Sequence, residues 1–92
     1  MKISFDPIKS EKNLRERGLS FERAAEFDFE NATFLVDDRL DYGEIRRIAI
    51  GYLDERLHVL CFVETTDGIR IISFRKANRR EGNKYGKPLT LY

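Results

Sequence analysis

Residues 45–74, IRRIAIGYLDERLHVLCFVETTDGIRIISF, decide the fold. Three runs within it, Ile45 to Tyr52, Leu57 to Glu64 and Ile69 to Phe74, are rich in β-branched and aromatic residues. Asp54-Glu55 and Asp67-Gly68 separate them, and an Asp-Gly pair between such runs is a strong hairpin signal. The stretch therefore predicts three consecutive antiparallel strands. Thr33 to Val36 predicts a short strand before them, joined by the acidic loop Asp37 to Gly43.

Further out, Ile3-Ser4-Phe5 predicts a short N-terminal strand. Asp6-Pro7 predicts a helix start, because the carboxylate can accept from free backbone N–H groups and proline suits the first helical position. That helix is expected to end at Arg17, with Gly18 as its left-handed cap. Ser20 predicts the cap of a second helix, Phe21 to Asp28, with Phe21, Ala24 and Ala25 on one side. A basic helix from Lys76 to Tyr85 closes the pattern, ended by Gly86 and Pro88, and the tail Leu89 to Tyr92 has no predicted place. The order β-α-α-β-β-β-β-α predicts an α+β domain spanning 1–92, an antiparallel meander packed against two N-terminal helices with a C-terminal basic helix.

Composition narrows the classes. At 41% hydrophobic and 36% charged residues, the chain is too apolar for obligate disorder and too charged for a membrane span. The longest apolar run, Val59 to Val63, falls far short of the roughly 20 residues a transmembrane helix needs. No leader peptide is read at the N-terminus, so a cytoplasmic address is expected, with no membrane partner. The lone Cys61 makes no internal disulfide and no multi-cysteine zinc site, and is expected to pack as a small apolar residue.

The net charge of +1 hides a polarity. Residues 1–68 carry ten Lys/Arg against fifteen Asp/Glu, whereas residues 69–92 carry seven against one. A chain so divided can present a basic face to a polyanion and an acidic face elsewhere.

With Asp67-Gly68 as a two-residue turn, Glu64 is expected opposite Ile71, Phe62 opposite Ser73 and Leu60 opposite Arg75. One face then carries Val59, Cys61, Val63, Ile72 and Phe74. The other mixes His58, Glu64, Ser73 and Arg75 with Leu60, Phe62 and Ile71, and the same register adds Arg47 to it and puts Arg46 on the first. Glu64 and Arg75 are thus expected to line a groove. His58, the only histidine, has no partner at ligand spacing, so no metal site and no Ser-His-Asp arrangement is predicted. Isolated glycines at turns offer no phosphate loop. In the C-terminal segment, Lys76, Arg79, Arg80 and Lys84 recur at helical spacing, and Tyr85 adds a stacking surface. Nucleic-acid contact through phosphates is the functional expectation, and a solvated helix or a dock for an acidic protein is the other.

These residues resemble the BrnT family, ribonuclease toxins of bacterial type II toxin–antitoxin pairs with a RelE-like fold. The resemblance rests on Phe5-Asp6-Pro7 with Lys9 and Asn13, Gly18 with Ser20-Phe21-Glu22 and Ala24-Ala25, and Tyr42-Gly43-Glu44 with Arg46. It continues through Ile50-Gly51, Ile69-Arg70-Ile71-Ile72-Ser73 with Arg75-Lys76-Ala77, Arg79-Arg80-Glu81 and Tyr85. It implies a small ribonuclease that works without a metal or other cofactor and blocks translation. It also implies a BrnA-like ribbon-helix-helix antitoxin as partner, two toxins with an antitoxin dimer, and operator DNA bound through the antitoxin.

Phosphodiester cleavage by a ribose 2′-hydroxyl needs a proton acceptor and cations at the phosphorane. The resemblance suggests Glu44 or Glu64 as base and Arg46 and Arg75 at the scissile phosphate. Lys9, Arg17, Lys76, Arg79, Arg80 and Tyr85 would hold flanking RNA. The chain departs from the family pattern in reading Glu16-Arg17-Gly18 for Lys-His-Gly, and Thr65 where an arginine often follows the glutamate. These changes suggest an alternative, a catalytically weak homologue that acts as an antitoxin-binding co-repressor.

Overall fold

The computed structural model describes residues 1–92. Five strands form one sheet in the order β1-β5-β4-β3-β2: β1 Lys2–Ser4, β2 Thr33–Asp37, β3 Arg46–Leu53, β4 Arg56–Glu64 and β5 Gly68–Lys76. β2 to β5 make the expected antiparallel meander, but β1 pairs in parallel with β5, so the sheet is mixed. Helix α1 spans Pro7–Arg17, with the Asp6 carboxylate accepting from the Ile8 amide and Gly18 in the left-handed conformation. No helix is long and apolar enough to cross a membrane.

The expected second helix is a 3₁₀ helix, Phe21–Glu26, and not an α-helix to Asp28. Six residues are too few to sustain an α-helix unaided, and three residues per turn align positions three apart. Phe21, Ala24 and Phe27 are accordingly buried on one line, while Ala25 faces out. Helix α1 also packs less than expected: Ser10 is its one buried residue, and Ile8 and Leu14 are exposed. It is tied down by polar contacts, chiefly the Asn13 amide donating to the carbonyls of Leu19 and Phe74 at 2.8 and 2.9 Å. The apolar cover of the sheet is therefore the 3₁₀ helix and the aromatic segment after it, where Phe27 meets Phe29 and Phe74 edge-on.

The turn before β5 also differs from expectation. Gly68 is the first residue of β5, the turn residues are Thr66-Asp67, and the Thr65 amide donates to the Gly68 carbonyl at 2.9 Å. The reason is the neighbouring strand: a Cβ on Gly68 would lie 1.8 Å from the Lys2 carbonyl oxygen. Gly68 serves the approach of β1, and the turn falls one residue earlier. At the other hairpin, Asp54 and Glu55 both take positive φ, 52° and 61°, the geometry that matches the twist of paired strands.

A β-bulge between Cys61 and Phe62 has the larger consequence. Phe62 pairs with Ile71, but Cys61 pairs with Ser73, Leu60 with Phe74 and Val59 with Arg75. Ile72 is the extra residue, and beyond it every β5 side chain changes face. Phe74 joins Leu60 and Phe62 in the main core with Leu19, Phe21, Ala24, Phe27, Ala49, Leu53, Ile69 and Ile71. Ser73 and Arg75 move to the opposite face with Val59 and Cys61, so the groove expected between Glu64 and Arg75 does not form.

That opposite face carries a smaller core of Ile50, Leu57, Val59 and Ala77. Helix α2, Arg79–Tyr85, covers only part of it, starting later than expected because β5 runs on to Lys76 and Asn78 forms a capping box with Glu81. The tail also gains a place: the Leu57 amide donates to the Leu89 carbonyl at 2.8 Å, and Leu89 packs on this smaller core.

Gly68→Ala should displace β1 and cost about 1–3 kcal/mol, lowering Tm by at least ~5 °C and removing hydrogen-exchange protection from β1. Asp67→Ala, one residue away and exposed, should stay near wild type. Equal melting of the two variants would refute the close-approach account.

Candidate active-site cleft

The face left open beside α2 is a cleft of about 500 Å³. Strand register sets out the sheet face on which it opens. Asp37, Arg46, Val63 and Arg70 form one row across the sheet, Leu35, Ile48, Cys61 and Ser73 the next, and Ile50, Val59 and Arg75 the third. Arg39 and Asp38 on the loop after β2 close one wall, and Arg80, Glu81, Lys84 and Tyr85 of α2 close the other.

Arg75 is held firmly. Its guanidinium donates to both oxygens of Glu81 at 2.9 and 2.7 Å, and the same carboxylate accepts from the Asn78 amide. Arg75 beside it holds the Glu81 carboxyl at about 2, with burial opposing, so Glu81 stays ionised at neutral pH and is a poor base. Asp37 repeats the arrangement. Its buried carboxylate accepts from Arg39 at 2.7 and 2.8 Å and from the Tyr42 hydroxyl at 3.2 Å, and the Arg39 contact leads in bringing its pKa to about 2. The Cys61 thiol in the floor is pushed up by burial, which disfavours a thiolate.

Arg46 stands on the same face as Arg75. Its guanidinium lies 4.0 Å from the Tyr42 ring centroid, an aromatic contact that holds the plane in place. Its Nε is buried without a hydrogen-bond partner, the Glu44 carboxylate remaining 3.8 Å away. Glu44 itself accepts from Arg70 at 2.8 Å through both oxygens. By contrast, Arg80 and Lys84 reach into the cleft with no carboxylate within ion-pair distance.

The cleft thus gathers Arg75, Arg80 and Tyr85, with Arg46 and Glu44 on the same face. It does not gather the rest. Glu64 lies across the sheet, bound to Arg47 at 2.8 Å, as the β3–β4 register predicts for Arg47. Lys76 points away from Arg75 into a separate recess that Arg17 also lines. Arg79 faces a shallow hollow with Asn83 and Lys87, and Lys9 is exposed on α1. Sequence reading missed Arg39, Asp37 and Arg70 as parts of this face. The isolated Arg39 in an acidic run was a signal for the first, and plain alternation along β5 already puts Arg70, which precedes the bulge, on the face of Arg46.

The family model for the ribonuclease toxin BrnT of type II toxin–antitoxin systems matches residues 5–81. No curated protein shows significant similarity to the chain. The match takes in the whole sheet from β2 to β5 and stops at Glu81, the partner of Arg75.

Glu81 and Asp37 both ionise at lower pH in the folded chain than in the unfolded one. Between their unfolded values, 4.5 and 3.8, and about 2, the unfolded chain binds more protons, so their stabilisation is full above pH 4.5 and lost as pH falls toward 2. Urea midpoints measured from pH 6 to pH 2.5 should fall through that window. Glu81→Gln should flatten the fall, and an identical pH profile would disprove the contribution of the Arg75 pair.

Proposed function

The chain belongs to the BrnT family of ribonuclease toxins of type II toxin–antitoxin systems, and on that premise we propose that it is a metal-independent endoribonuclease acting through the α2 cleft. The observation that carries the reading is the convergence of Arg75, Arg80 and Lys84 on one cleft, on the face that also holds Arg46. RNA phosphates are the ligand such cations suit, and Tyr85 offers a base a stacking surface.

In this reading the 2′-oxygen bonds to the adjacent phosphorus and the bond to the 5′-oxygen breaks. The products are a 2′,3′-cyclic phosphate and a 5′-hydroxyl end. Arg46 and Arg75 stabilise the charge that builds on the phosphorane oxygens, Glu44 accepts the 2′-hydroxyl proton, and water in the open cleft protonates the leaving oxygen. Glu64, on the opposite face, has no part in it. Asp37, Glu44 and Glu81 are each bound to an arginine, which supports phosphate charge being met by guanidinium groups.

The type II family implies an antitoxin partner. We take it to be a BrnA-like ribbon-helix-helix protein that masks this cleft, two toxins joining an antitoxin dimer whose complex binds operator DNA, with translation arrest in the cytoplasm following from RNA loss. A second reading has its own observation. Glu81 occupies both terminal nitrogens of Arg75, and by the family resemblance Arg17 and Thr65 stand where a histidine is typical and an arginine frequent. A chain so locked would be a weak nuclease that serves as an antitoxin-binding co-repressor.

Purified protein incubated with end-labelled RNA in EDTA separates these readings. Cleavage should occur, Arg75→Ala and Arg46→Ala should each lower the rate ~100–1,000-fold, and Arg47→Ala should change it less than about threefold. Absence of cleavage by soluble, folded wild type would favour the co-repressor, and full activity of Arg75→Ala would remove the cleft from the mechanism.

A further inference from the structure

On the other side of β5 a second recess, of about 510 Å³, lies between the end of α1 and the β3–β4 turn. Its volume falls within the range of small-molecule sites, ~300–1,000 Å³. Arg17, Arg56 and Lys76 line it, and none of the three forms an ion pair. The one acid in its lining, Asp54, is already bound by Arg23 at 2.7 Å. A basic residue at a helix C-terminus is ordinary, which accounts for Arg17. It does not account for Arg56 and Lys76 meeting it from the sheet.

Arg56 is fixed in place, its two terminal nitrogens donating to the carbonyls of Leu57 at 2.8 Å and Ala77 at 3.0 Å. Those acceptors are uncharged, so its positive charge stays uncompensated. His58 sits directly opposite Lys76 across β4 and β5 and is buried against Phe74. Its Nδ1 lies 2.7 Å from the Arg56 carbonyl, which can only accept, so Nδ1 carries the proton and Nε2 keeps a lone pair. Burial, with the nearby Arg56 and Lys76 charges, lowers its pKa and keeps the ring neutral at pH 7. The recess therefore offers three cations and a neutral acceptor, the complement of a phosphate group beside a hydroxyl or amino donor.

We propose that this recess is a second RNA contact, taking one nucleotide of the strand whose neighbouring segment occupies the cleft: its phosphate on Arg17, Arg56 and Lys76, and a base N–H group on His58 Nε2. The proposal rests on the reading of the cleft as an RNA site. Arg75 and Lys76 are consecutive in β5 and face opposite sides, so a strand crossing the end of β5 meets the cleft through the first and the recess through the second.

Binding of a 2′-O-methyl RNA octamer, which cannot be cleaved by the 2′-hydroxyl route, tests both sites at once. Nitrogen NMR of the His58 ring should show Nε2 moving upfield as it accepts a hydrogen bond, saturating together with cleft signals such as the Arg75 side chain. Lys76→Ala, at an exposed position, should weaken binding ~3–10-fold and lower the salt slope by about one, while Arg75 still responds. A silent His58 with a responding Arg75, and Lys76→Ala binding as tightly as wild type, would overturn the second contact and spare the cleft. A silent Arg75 with a responding His58 would instead refute the cleft reading. Uridine 5′-monophosphate serves as the free-nucleotide arm. Saturation by it at His58 with no response to the octamer would overturn the RNA track in favour of a nucleotide site.

Discussion

The side of the sheet to which Arg75 turns depends on how β5 satisfies two neighbours at once. On one edge it must accept β1 in parallel, and the Lys2 backbone comes so close that only glycine fits at position 68. On the other edge it must pair with β4 in a register that buries Ile69, Ile71 and Phe74 under the 3₁₀ helix. Ile69 and Ile71 are two apart and share a face, but Phe74 is three beyond Ile71, an odd step that a regular strand sends to the other side. Inserting Ile72 as a bulge resolves the conflict. Phe74 becomes fully buried in the main core, and the cost is one disrupted position in the ladder.

The same bulge places Arg75. Because Phe74 must turn inward, Ser73 and Arg75 turn outward onto the face of Arg46 and Arg70, and the cleft acquires Arg75 as a consequence of core packing. Truncating Phe74, a change expected to cost about 3–5 kcal/mol in a core, would thus remove the packing reason for the orientation of Arg75. Core and cleft are two sides of one register choice.

Much of this architecture was legible in the residues. Helix α1 ends where Asp6-Pro7 and Gly18 place it, the four-strand meander follows the apolar runs, and Arg47 lies on the Glu64 face as alternation requires. What stayed hidden has a common cause. The turn position, the parallel strand, the 3₁₀ geometry and the bulge are all set by contacts between segments far apart in sequence. Asp67-Gly68 is locally a good turn, and nothing within ten residues says that Lys2 claims the glycine. Alternation likewise assigns faces correctly up to Ile71 and wrongly beyond it, because a bulge is a tertiary decision. Of the residues expected at the site, Arg75, Arg80 and Tyr85 therefore line the cleft and Arg46 shares its face, whereas Glu64 lies across the sheet.

The distribution of ion pairs divides the labour among the cations of the cleft. A guanidinium locked to an ionised carboxylate, like Arg75 on Glu81 or Arg39 on Asp37, contributes position and N–H donors but little net field. Such a group does not draw a polyanion from a distance. Arg80 and Lys84, exposed and unpaired on α2, supply the long-range attraction, which salt screens. In the proposed mechanism, Arg75 would act only once a phosphate is close enough to take hydrogen bonds from the N–H groups Glu81 leaves free, or to compete for those it holds. Because Glu81 remains ionised down to about pH 2, no ordinary change of pH releases the lock. The competitor must be another oxyanion, and one whose charge grows as the reaction proceeds competes best in the transition state. In the proposed mechanism, a lock that opens to rising negative charge would favour the phosphorane over the resting diester, which is the differential binding that accelerates a reaction.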